Sequence, residues 1–534
     1  MNQASKLERD PAGAGEGETP GAAASRTPPR PGAMSRAVGR GMVWMMGMTV
    51  LGRSASALSQ IIVANFLLEE DFGIAAMALA FGAFVQVFRD GGVRRLLIQR
   101  GADEYAALAG PLFWMAAAFN LATSAIIFAT APLVAHHVYH EPQVRDLLWV
   151  IAVYPILSTP AAILQARLNI DLRFRAISLI TAGSSIIRYG GIVLFAWLGL
   201  GPMSFVLPMP LVAIWEGVAS FVVTRDSPWT SAPRFAIWWD NIRRAAWVML
   251  GTLATTVYNQ GDYLVLGIIT TKAVVGVYFF AYGLSKQVII LLVVNLQTVL
   301  FPALSKFADD DARQRSAAKQ TIRLLTLLSA PLSFGLISVI DPLETVLFDG
   351  RWSGAVAPIQ LLSLALPFII LNTIPRTVLM SRGEFKAWSI ILLLDGVGVM
   401  ISAAIGAYIT LDSTGVFLFQ GEARDPVGIA ACVAAYSSVS SLAYSWIALR
   451  SIDLPFAAML RSFSPPVAIA AIASLAAMLV ERALGAGVPA EIQVIAAGLV
   501  FSAIFGLTVR RVLAGDLRAL ISVAPAPLRR PAST

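Results

Sequence analysis

Long apolar stretches recur along the chain from about residue 42 onwards, separated by short breaks that carry charges, glycine or proline. A helix needs roughly 20 mainly apolar residues to cross the hydrocarbon core of a bilayer. The pattern therefore predicts an all-α polytopic membrane protein with about fourteen transmembrane helices. The predicted spans are 42–67, 72–89, 107–131, 145–165, 176–199, 204–224, 246–270, 276–299, 324–347, 356–379, 388–411, 428–449, 465–481 and 488–510.

The basic residues support this number of crossings. With the amino terminus inside, 32 of the 40 Lys and Arg residues fall in or beside loops on one side. Cytoplasmic loops of membrane proteins are enriched in Lys and Arg, so an even number of helices and two cytoplasmic termini are predicted. The remaining basic residues are Arg145, Lys272, Arg351, Arg424 and Arg482 in external loops, and Arg53, Arg188 and Lys286 within spans.

The composition excludes several classes of protein. Of the 534 residues, 57% are hydrophobic and 13% charged, whereas soluble proteins average about 45–50% and about 25%. A soluble enzyme, a nucleic-acid binder and a secreted disulfide scaffold all fit poorly, and Cys432 is the single cysteine. No phosphate-binding loop or dinucleotide fingerprint is present. Any energy input is therefore expected from an ion gradient, the membrane potential or the gradient of the substrate.

A weak internal repeat predicts the domain organisation. Trp44 and Gly73 open the first two spans, and Trp247 and Gly276 open the seventh and eighth, with an offset of 203 residues in both cases. Parallel repeats related by an axis along the membrane normal are known in transporters. We therefore expect two pseudosymmetric six-helix lobes and two additional C-terminal helices. The predicted segments are a disordered cytoplasmic tail at 1–40, lobes at 41–240 and 241–455, the extra helices at 456–512 and a cytoplasmic tail at 513–534.

Charged residues inside the predicted spans are the main functional signal. A charge near the bilayer centre costs about 2.5–3.5 kcal/mol even on insertion scales, so it normally faces a wet cavity or an ion partner. Three cations and three acids occupy such positions on six different spans. The cations are Arg53, Arg188 and Lys286, and the acids are Glu216, Asp262 and Asp395.

These charges belong to polar helix faces. Residues three or four apart lie on the same side of a helix, so each polar stripe predicts a wall of an interior cavity. Arginine and lysine suit phosphate groups, and tyrosine offers both a ring and a hydroxyl to sugars. Permanent ion pairing and close helix packing are the alternative interpretation. The stripes are Thr49, Arg53, Ser56 and Gln60; Thr252, Thr255, Asn259 and Asp262; and Tyr278, Tyr282 and Lys286.

The three histidines form one cluster near the external end of the third span. His136 and His140 are separated by one helical turn, a spacing that can hold a metal ion. Polar residues are common at helix ends, however, so we expect no metal site and no bound cofactor.

Several short segments occur in an order and spacing that resemble bacterial polysaccharide flippases of the Wzx type, over about residues 42–450. The segments are Leu67 to Gly73, Phe88 to Gly92, Leu97 with Ile98, Asn259 to Tyr263, Gly276 to Tyr278, Pro302 to Ser305 and Leu347 to Trp352. This family belongs to the multidrug, oligosaccharidyl-lipid and polysaccharide exporter superfamily, whose members have twelve to fourteen helices in two lobes.

The resemblance implies an inner-membrane flippase that moves an undecaprenyl-diphosphate-linked oligosaccharide towards the periplasm, coupled to protons or sodium ions. The implied cationic cavity maps onto Arg53, Arg188 and Lys286, beside Gln60, Asn259, Tyr278 and Tyr282 from the polar stripes. Asp262, Glu216 and Asp395 are the candidates for ion coupling or gating. Membrane lipids, a polysaccharide polymerase and export machinery are the expected partners; no nucleic acid is expected.

Three alternatives remain open. A drug or cation antiporter would be expected to have an acidic or apolar cavity. The lipid II flippase of peptidoglycan synthesis shares the expected helix number and a cationic cavity. A membrane polysaccharide polymerase or ligase would be expected to carry a large external loop with catalytic Arg or His residues, and the longest predicted external loop spans only about residues 412–427.

Overall fold

The computed structural model describes residues 31–287, 310–411, 417–419, 425–485 and 487–513. Each of the fourteen predicted spans corresponds to a helix within these ranges, so the prediction of an all-α membrane fold with fourteen helices is confirmed. Most of the two predicted tails, residues 1–30 and 514–534, lies outside the described residues. The motif from Pro302 to Ser305 also lies outside them.

The first lobe contains helices 1 to 6. Short 3-10 turns flank three of its helices: Gln86–Gly92 lies between helices 2 and 3, and Gly201–Phe205 precedes helix 6. The helices are helix 1, Pro31–Ala64; helix 2, Glu69–Val85; helix 3, Val93–Leu133; helix 4, Pro142–Ile170; helix 5, Phe174–Trp197; and helix 6, Pro208–Thr224.

The second lobe contains helices 7 to 12, and helices 13 and 14 follow it. The bounds are helix 7, Trp238–Ile269; helix 8, described over 272–287; helix 9, Asp311–Phe348; helix 10, Ser353–Ile369 and, after the turn Ile370–Asn372, Thr373–Ser381; helix 11, Phe385–Ala407; helix 12, Pro426–Leu449; helix 13, Phe456–Leu484; and helix 14, Ala490–Val512.

A short β-hairpin joins helices 11 and 12. Its strands, Ile409–Leu411 and Phe417–Phe419, pair antiparallel with Ile409 opposite Phe419. It lies on the predicted external side, at the longest loop that the apolar pattern leaves there. In the described part of the protein, this hairpin is the only β-structure.

Apolar length supports the membrane assignment for most of the helices. Ten segments of the described chain are long and apolar enough to cross a membrane, and one of them, Glu69–Val138, is 70 residues long and contains helices 2 and 3. Helices 1 and 7 are not among these segments, because the polar stripes with Arg53 and Asp262 lower their apolar content. Of helix 8 the structure describes residues 272–287, fewer than the roughly 20 that a crossing needs.

Helix packing separates the two lobes. Helix 3 packs on helix 4, helix 1 on helix 5 and helix 4 on helix 6, whereas helix 7 packs on helix 11 and helix 10 on helix 12. Helices 13 and 14 pack on each other and on helix 9. The chain is therefore built from two six-helix lobes and two C-terminal helices, as predicted, while the lobe boundaries stay a prediction.

The lobes meet through the two glycines of the internal repeat. A Cβ on Gly73 of helix 2 would overlap the carbonyl of Lys272, and a Cβ on Gly276 of helix 8 would overlap the carbonyl of Glu69. Lys272 and Glu69 are themselves 203 residues apart, so the contact is reciprocal. A self-complementary contact of this kind is what a two-fold relation between lobes produces, and only glycine allows the two backbones to approach so closely.

Candidate functional site

A chain of side chains links Asp262 of helix 7 to Lys286 of helix 8. Asp262 is 1% exposed; its carboxylate accepts hydrogen bonds from the Tyr278 hydroxyl at 3.0 Å and the Tyr263 backbone N–H at 2.9 Å. The Tyr282 ring stacks on Tyr278 at 5.8 Å, and the Lys286 Nζ lies 3.8 Å from the centre of the Tyr282 ring. The spacing of four residues brings these groups to one helix face, as predicted.

This chain separates the acid from the cation. In the described part of the protein, no carboxylate oxygen lies within 4.0 Å of the Lys286 ammonium group, which instead faces the Tyr282 ring. A cation over an aromatic face gains about 0.5–2 kcal/mol, depending on desolvation. Tyr278 and Tyr282 are buried in this arrangement. Their predicted role as a sugar-binding surface remains a prediction.

Arg188 lines a cavity of about 510 Å³ between the lobes. We call this the inter-lobe cavity. In the described part of the protein, no carboxylate oxygen lies within 4.0 Å of its guanidinium group. Arg89 lines the same cavity, 5.2 Å from the centre of the Tyr154 ring. The other polar lining residues are Gln86, Tyr154, Thr252, Thr256 and Gln260.

A second cavity, of about 780 Å³, contains Asn259 and Asp395. We call it the helix 7–11 cavity. Arg95 and Gln99 of the first lobe reach it, together with Arg376 and Trp388 of the second lobe. It extends from mid-helix Asp395 to the end of helix 11 that carries Phe385, which the charge pattern predicts to be cytoplasmic.

The other predicted site residues lie elsewhere. Gln60 lines a separate cavity of about 240 Å³ and donates a hydrogen bond to the Phe280 carbonyl at 3.1 Å. Glu216 accepts a hydrogen bond from Ser184 at 2.9 Å within the first lobe. Arg53 is half-buried on helix 1 and does not line any of these three cavities. The predicted residues are therefore distributed over several places.

The lobes are joined at their predicted external ends. The Arg351 guanidinium donates to the Asn65 carbonyl at 2.7 Å, and the Trp352 indole N–H donates to the Ala64 carbonyl at 2.9 Å. The Trp352 ring lies 5.0 Å from Phe72 and 4.1 Å from Phe280. We call these contacts, together with Gly73 and Gly276, the outer seam. They close the protein on that side.

Lys272 adds an ionic contact to the outer seam. Its Nζ lies 3.1 Å from Glu70 of helix 2 and 3.3 Å from Glu141 before helix 4. The hydrogen bond to Glu70, followed by that to Glu141, raises the pKa of Lys272 above its ordinary value. Because the pKa of Lys272 is raised, the stabilisation that its ion pairs give to the outer seam is complete below the ordinary lysine pKa. It is lost only as the pH rises through the higher pKa.

Replacement of Lys272 by methionine is therefore expected to weaken closure of the outer seam. Exposed ion pairs contribute about 0.2–1 kcal/mol, so the closed-to-open ratio should fall about 1.4- to 5-fold. Distances between spin labels at Asn65→Cys and Ser353→Cys would report the ratio. In the unsubstituted protein the ratio should be the same at pH 7 and pH 9. Arg145→Gln, which breaks an ion pair with Asp146 inside helix 4, should leave it unchanged; an equal fall would contradict the assignment.

Comparison with known proteins identifies the family. The family model described as "Polysaccharide biosynthesis protein" matches residues 62–357, more than half of the chain. The chain belongs to this polysaccharide biosynthesis protein family. The Wzx-type resemblance drawn from the motifs is thereby confirmed.

Curated relatives carry names of the same kind. The succinoglycan biosynthesis transport protein ExoT of Rhizobium meliloti is 24% identical over 477 residues, covering 87% of this chain and 91% of the relative. The teichuronic acid biosynthesis protein TuaB of Bacillus subtilis is 22% identical, covering 61% and 68%. The lipopolysaccharide biosynthesis protein WzxC of Escherichia coli is 21% identical, covering 60% and 65%.

Solved structures share the fold. The lipid II flippase MurJ in an inward closed conformation matches with a TM-score of 0.68 and 14% identity, covering 88% of this chain and all of that chain. An inward-facing multidrug transporter of the MATE family matches with a TM-score of 0.50 and 13% identity, covering 78% and 95%. At these identities the likeness concerns the fold alone.

Several cavity residues were missed from the sequence. Arg89 and Arg95 lie at the ends of apolar runs, where a basic residue ordinarily indicates an interfacial anchor. Asn372 and Arg376 follow Pro367 in a stretch that carries no stripe. A search for arginines within one turn of a predicted helix break would have found Arg89 and Arg376.

Proposed function

We propose that this protein is a flippase that moves a lipid-linked oligosaccharide diphosphate across the bacterial inner membrane for polysaccharide biosynthesis. The observation that carries the proposal is the inter-lobe cavity. It brings Arg89 and Arg188 of one lobe against the hydroxyl and amide groups of Thr252, Thr256 and Gln260 of the other. Membership of the polysaccharide biosynthesis protein family and the names of the curated relatives support it.

The chemistry of the cavity suits such a head group. A diphosphate and sugar hydroxyls lose their hydration in hydrocarbon, at a cost of several kcal/mol per unsatisfied group. Guanidinium groups bind phosphate oxygens in a bidentate manner, and threonine and glutamine side chains hydrogen-bond sugar hydroxyls. Lys286 and Arg53 are proposed to add positive charge along the route, while the polyprenyl tail stays in the lipid.

The closed outer seam suits one end state of alternating access. With the lobes joined at their predicted external ends, the helix 7–11 cavity extends towards the predicted cytoplasmic side. Rocking of one lobe against the other would part the outer seam and expose the head group externally. Asp262, Glu216 and Asp395 are the candidates to couple this motion to protons or sodium ions. Polysaccharide polymerase and export machinery are the proposed downstream partners.

The alternatives are less well supported. The MurJ match keeps a lipid II flippase as the second candidate, but it concerns the fold alone, whereas the family and the curated relatives point to polysaccharides. The arginines of the inter-lobe cavity disfavour a cation antiporter. A polymerase or ligase has no support among these relatives.

Reconstitution of the purified protein into liposomes tests the proposal. The substrate is a polyprenyl-diphosphate oligosaccharide loaded into both leaflets, and accessibility of its sugars to an external glycosidase is followed with time. We expect transfer of the protected pool only in vesicles that contain the protein. In cells, deletion of the gene should trap completed repeat units on the cytoplasmic leaflet. Normal surface polymer after deletion, or no transfer in vesicles, would overturn the proposal.

A further inference from the structure

The cavity of about 240 Å³ that contains Gln60 lies between the lobes, next to the outer seam. We call it the seam cavity. Helices 1, 2 and 5 and the turn Gly201–Phe205 line it from the first lobe, and helix 8 lines it from the second. Phe72 fixes its position, because this residue lines the cavity and its ring lies 5.0 Å from the Trp352 ring of the outer seam.

One part of the lining is polar. The Gln287 amide donates to the Ser56 hydroxyl at 2.6 Å, and the Ser59 hydroxyl donates to the Tyr189 carbonyl at 3.2 Å. Within the described residues, Gln287 Oε1 is buried and accepts no hydrogen bond. A primary amide has two donors and an acceptor, so Gln60 and Gln287 keep hydrogen-bonding capacity for the hydroxyl groups of a ligand.

A second part of the lining is aromatic. Phe72, Phe205 and Phe279 all line the seam cavity, and their ring centres lie 5.1 to 6.4 Å apart. A sugar ring presents C–H groups on its faces and hydroxyl groups at its edge. Aromatic surface combined with a few amides and hydroxyls is therefore complementary to a sugar ring. A polyprenyl tail would leave the amides without partners.

The seam cavity suits an uncharged ligand of about one ring. Its lining within the described residues contains no charged side chain. A buried carboxylate without a counter-charge costs far more free energy than a buried hydroxyl that is hydrogen-bonded. The volume also lies below the roughly 300–1,000 Å³ of pockets for drug-sized ligands. The inter-lobe cavity differs, since Arg89 and Arg188 line it.

The seam cavity adjoins the inter-lobe cavity. Phe279 lines both of them. On helix 5, Arg188 lines the inter-lobe cavity, and the next residue, Tyr189, lines the seam cavity. In a lipid-linked sugar diphosphate, the first sugar is bonded directly to the diphosphate. A diphosphate bound by Arg188 and Arg89 therefore brings this first sugar to the seam cavity.

We infer that the seam cavity is a subsite for one uncharged sugar, namely the sugar bonded to the diphosphate. The inference rests on the proposed flippase function and names a part of the substrate that the protein recognises besides the diphosphate. Gln60, Gln287 and Ser56 bind the sugar hydroxyls, and Phe72 and Phe279 pack on the ring. A hexose or an N-acetylhexosamine suits this site. A hexuronic acid does not, because its carboxylate would have no counter-charge there.

The subsite is built from both lobes. Ser56 lies on helix 1 of the first lobe and Gln287 on helix 8 of the second, so their hydrogen bond of 2.6 Å crosses between the lobes. Phe72 contacts both the seam cavity and Trp352 of the outer seam. Parting of the lobes at the outer seam would separate the two halves of the subsite, which is the physical basis for release of the sugar on the external side.

Binding of defined lipids to the purified full-length protein in nanodiscs tests the inference. The probes are a radiolabelled polyprenyl diphosphate without sugar and the same lipid carrying glucose, galactose, N-acetylglucosamine or glucuronic acid. We expect at least one neutral sugar to tighten binding about 10-fold, the effect of one or two hydrogen bonds, and glucuronic acid to give no gain. Gln287→Leu should reduce the affinity for that neutral lipid to the affinity for the sugar-free lipid. Gln360→Leu makes the same change on helix 10, outside the seam cavity, and should keep the gain.

The outcomes distinguish this subsite from the proposed function. Equal affinity for the neutral and the sugar-free lipids, or an equal gain with glucuronic acid, would overturn the subsite and keep the flippase proposal. An unchanged gain in Gln287→Leu, or its loss in Gln360→Leu as well, would also overturn the subsite. If Gln287→Leu does not fold, Ser56→Val, which removes a hydroxyl and narrows the cavity, decides by the same comparison. Failure of every diphosphate lipid to bind would overturn the flippase proposal itself.

Discussion

Arg188→Gln is expected to reduce transfer of a lipid-linked oligosaccharide diphosphate by about 10- to 100-fold while the protein still inserts and folds. A hydrogen bond to a charged group contributes about 1.5–3 kcal/mol, and each 1.4 kcal/mol corresponds to a factor of ten. Because no carboxylate of the described chain pairs with Arg188, its removal leaves no buried counter-charge behind. The effect should therefore fall on the substrate and spare stability.

The conservative variant separates charge from geometry. Arg188→Lys keeps the positive charge but loses the planar fork that binds two phosphate oxygens. We expect intermediate transfer for it, and a larger defect when Arg89→Gln is combined with Arg188→Gln. The measurement is the glycosidase-accessibility assay in liposomes, with thermal unfolding as a check on folding.

Arg145→Gln is the matched control for this experiment. Arg145 lies on the predicted external surface, where its guanidinium pairs with Asp146 and lies over the Trp149 ring. It has no part in the inter-lobe cavity, so transfer should remain normal. Normal transfer in Arg188→Gln as well would remove this arginine from substrate binding.

Gly73→Ala and Gly276→Ala are expected to shift the protein away from the state with a closed outer seam. Each added Cβ would overlap a backbone carbonyl of the opposite lobe, which cannot rotate away as a flexible side chain can. Overpacking of this kind costs about 1–3 kcal/mol, a 5- to 150-fold change in the closed-to-open ratio. A state in which the lobes are apart carries no such cost.

Spin-label distances across the outer seam measure this shift. With labels at Asn65→Cys and Ser353→Cys and with Cys432 replaced by serine, the short distance should lose population in either variant and more in both together. The matched control is Gly190→Ala, since a Cβ there meets nothing within 4 Å. A distance distribution unchanged in Gly73→Ala would mean that the seam is not a closed contact in the membrane.

The repeat and the outer seam illustrate what local sequence signals can and cannot show. The 203-residue offset between Gly73 and Gly276 was readable from the chain, and the two-lobe architecture it predicted is confirmed. That the two glycines touch each other was not readable. A periodic pattern indicates which residues share a helix face, but it does not indicate which helix of the other lobe that face meets.

The sequence by itself determined the membrane class, the fourteen helices and the family. These follow from apolar length, from motif order and from the cost of leaving polar backbone groups in lipid, all of which act within one segment at a time. The tertiary structure alone decided how polar groups of different helices are brought together: Arg188 with Arg89, and Asp395 with Asn372. Such groupings depend on side-chain packing between helices distant in sequence, and no spacing along the chain encodes that contact.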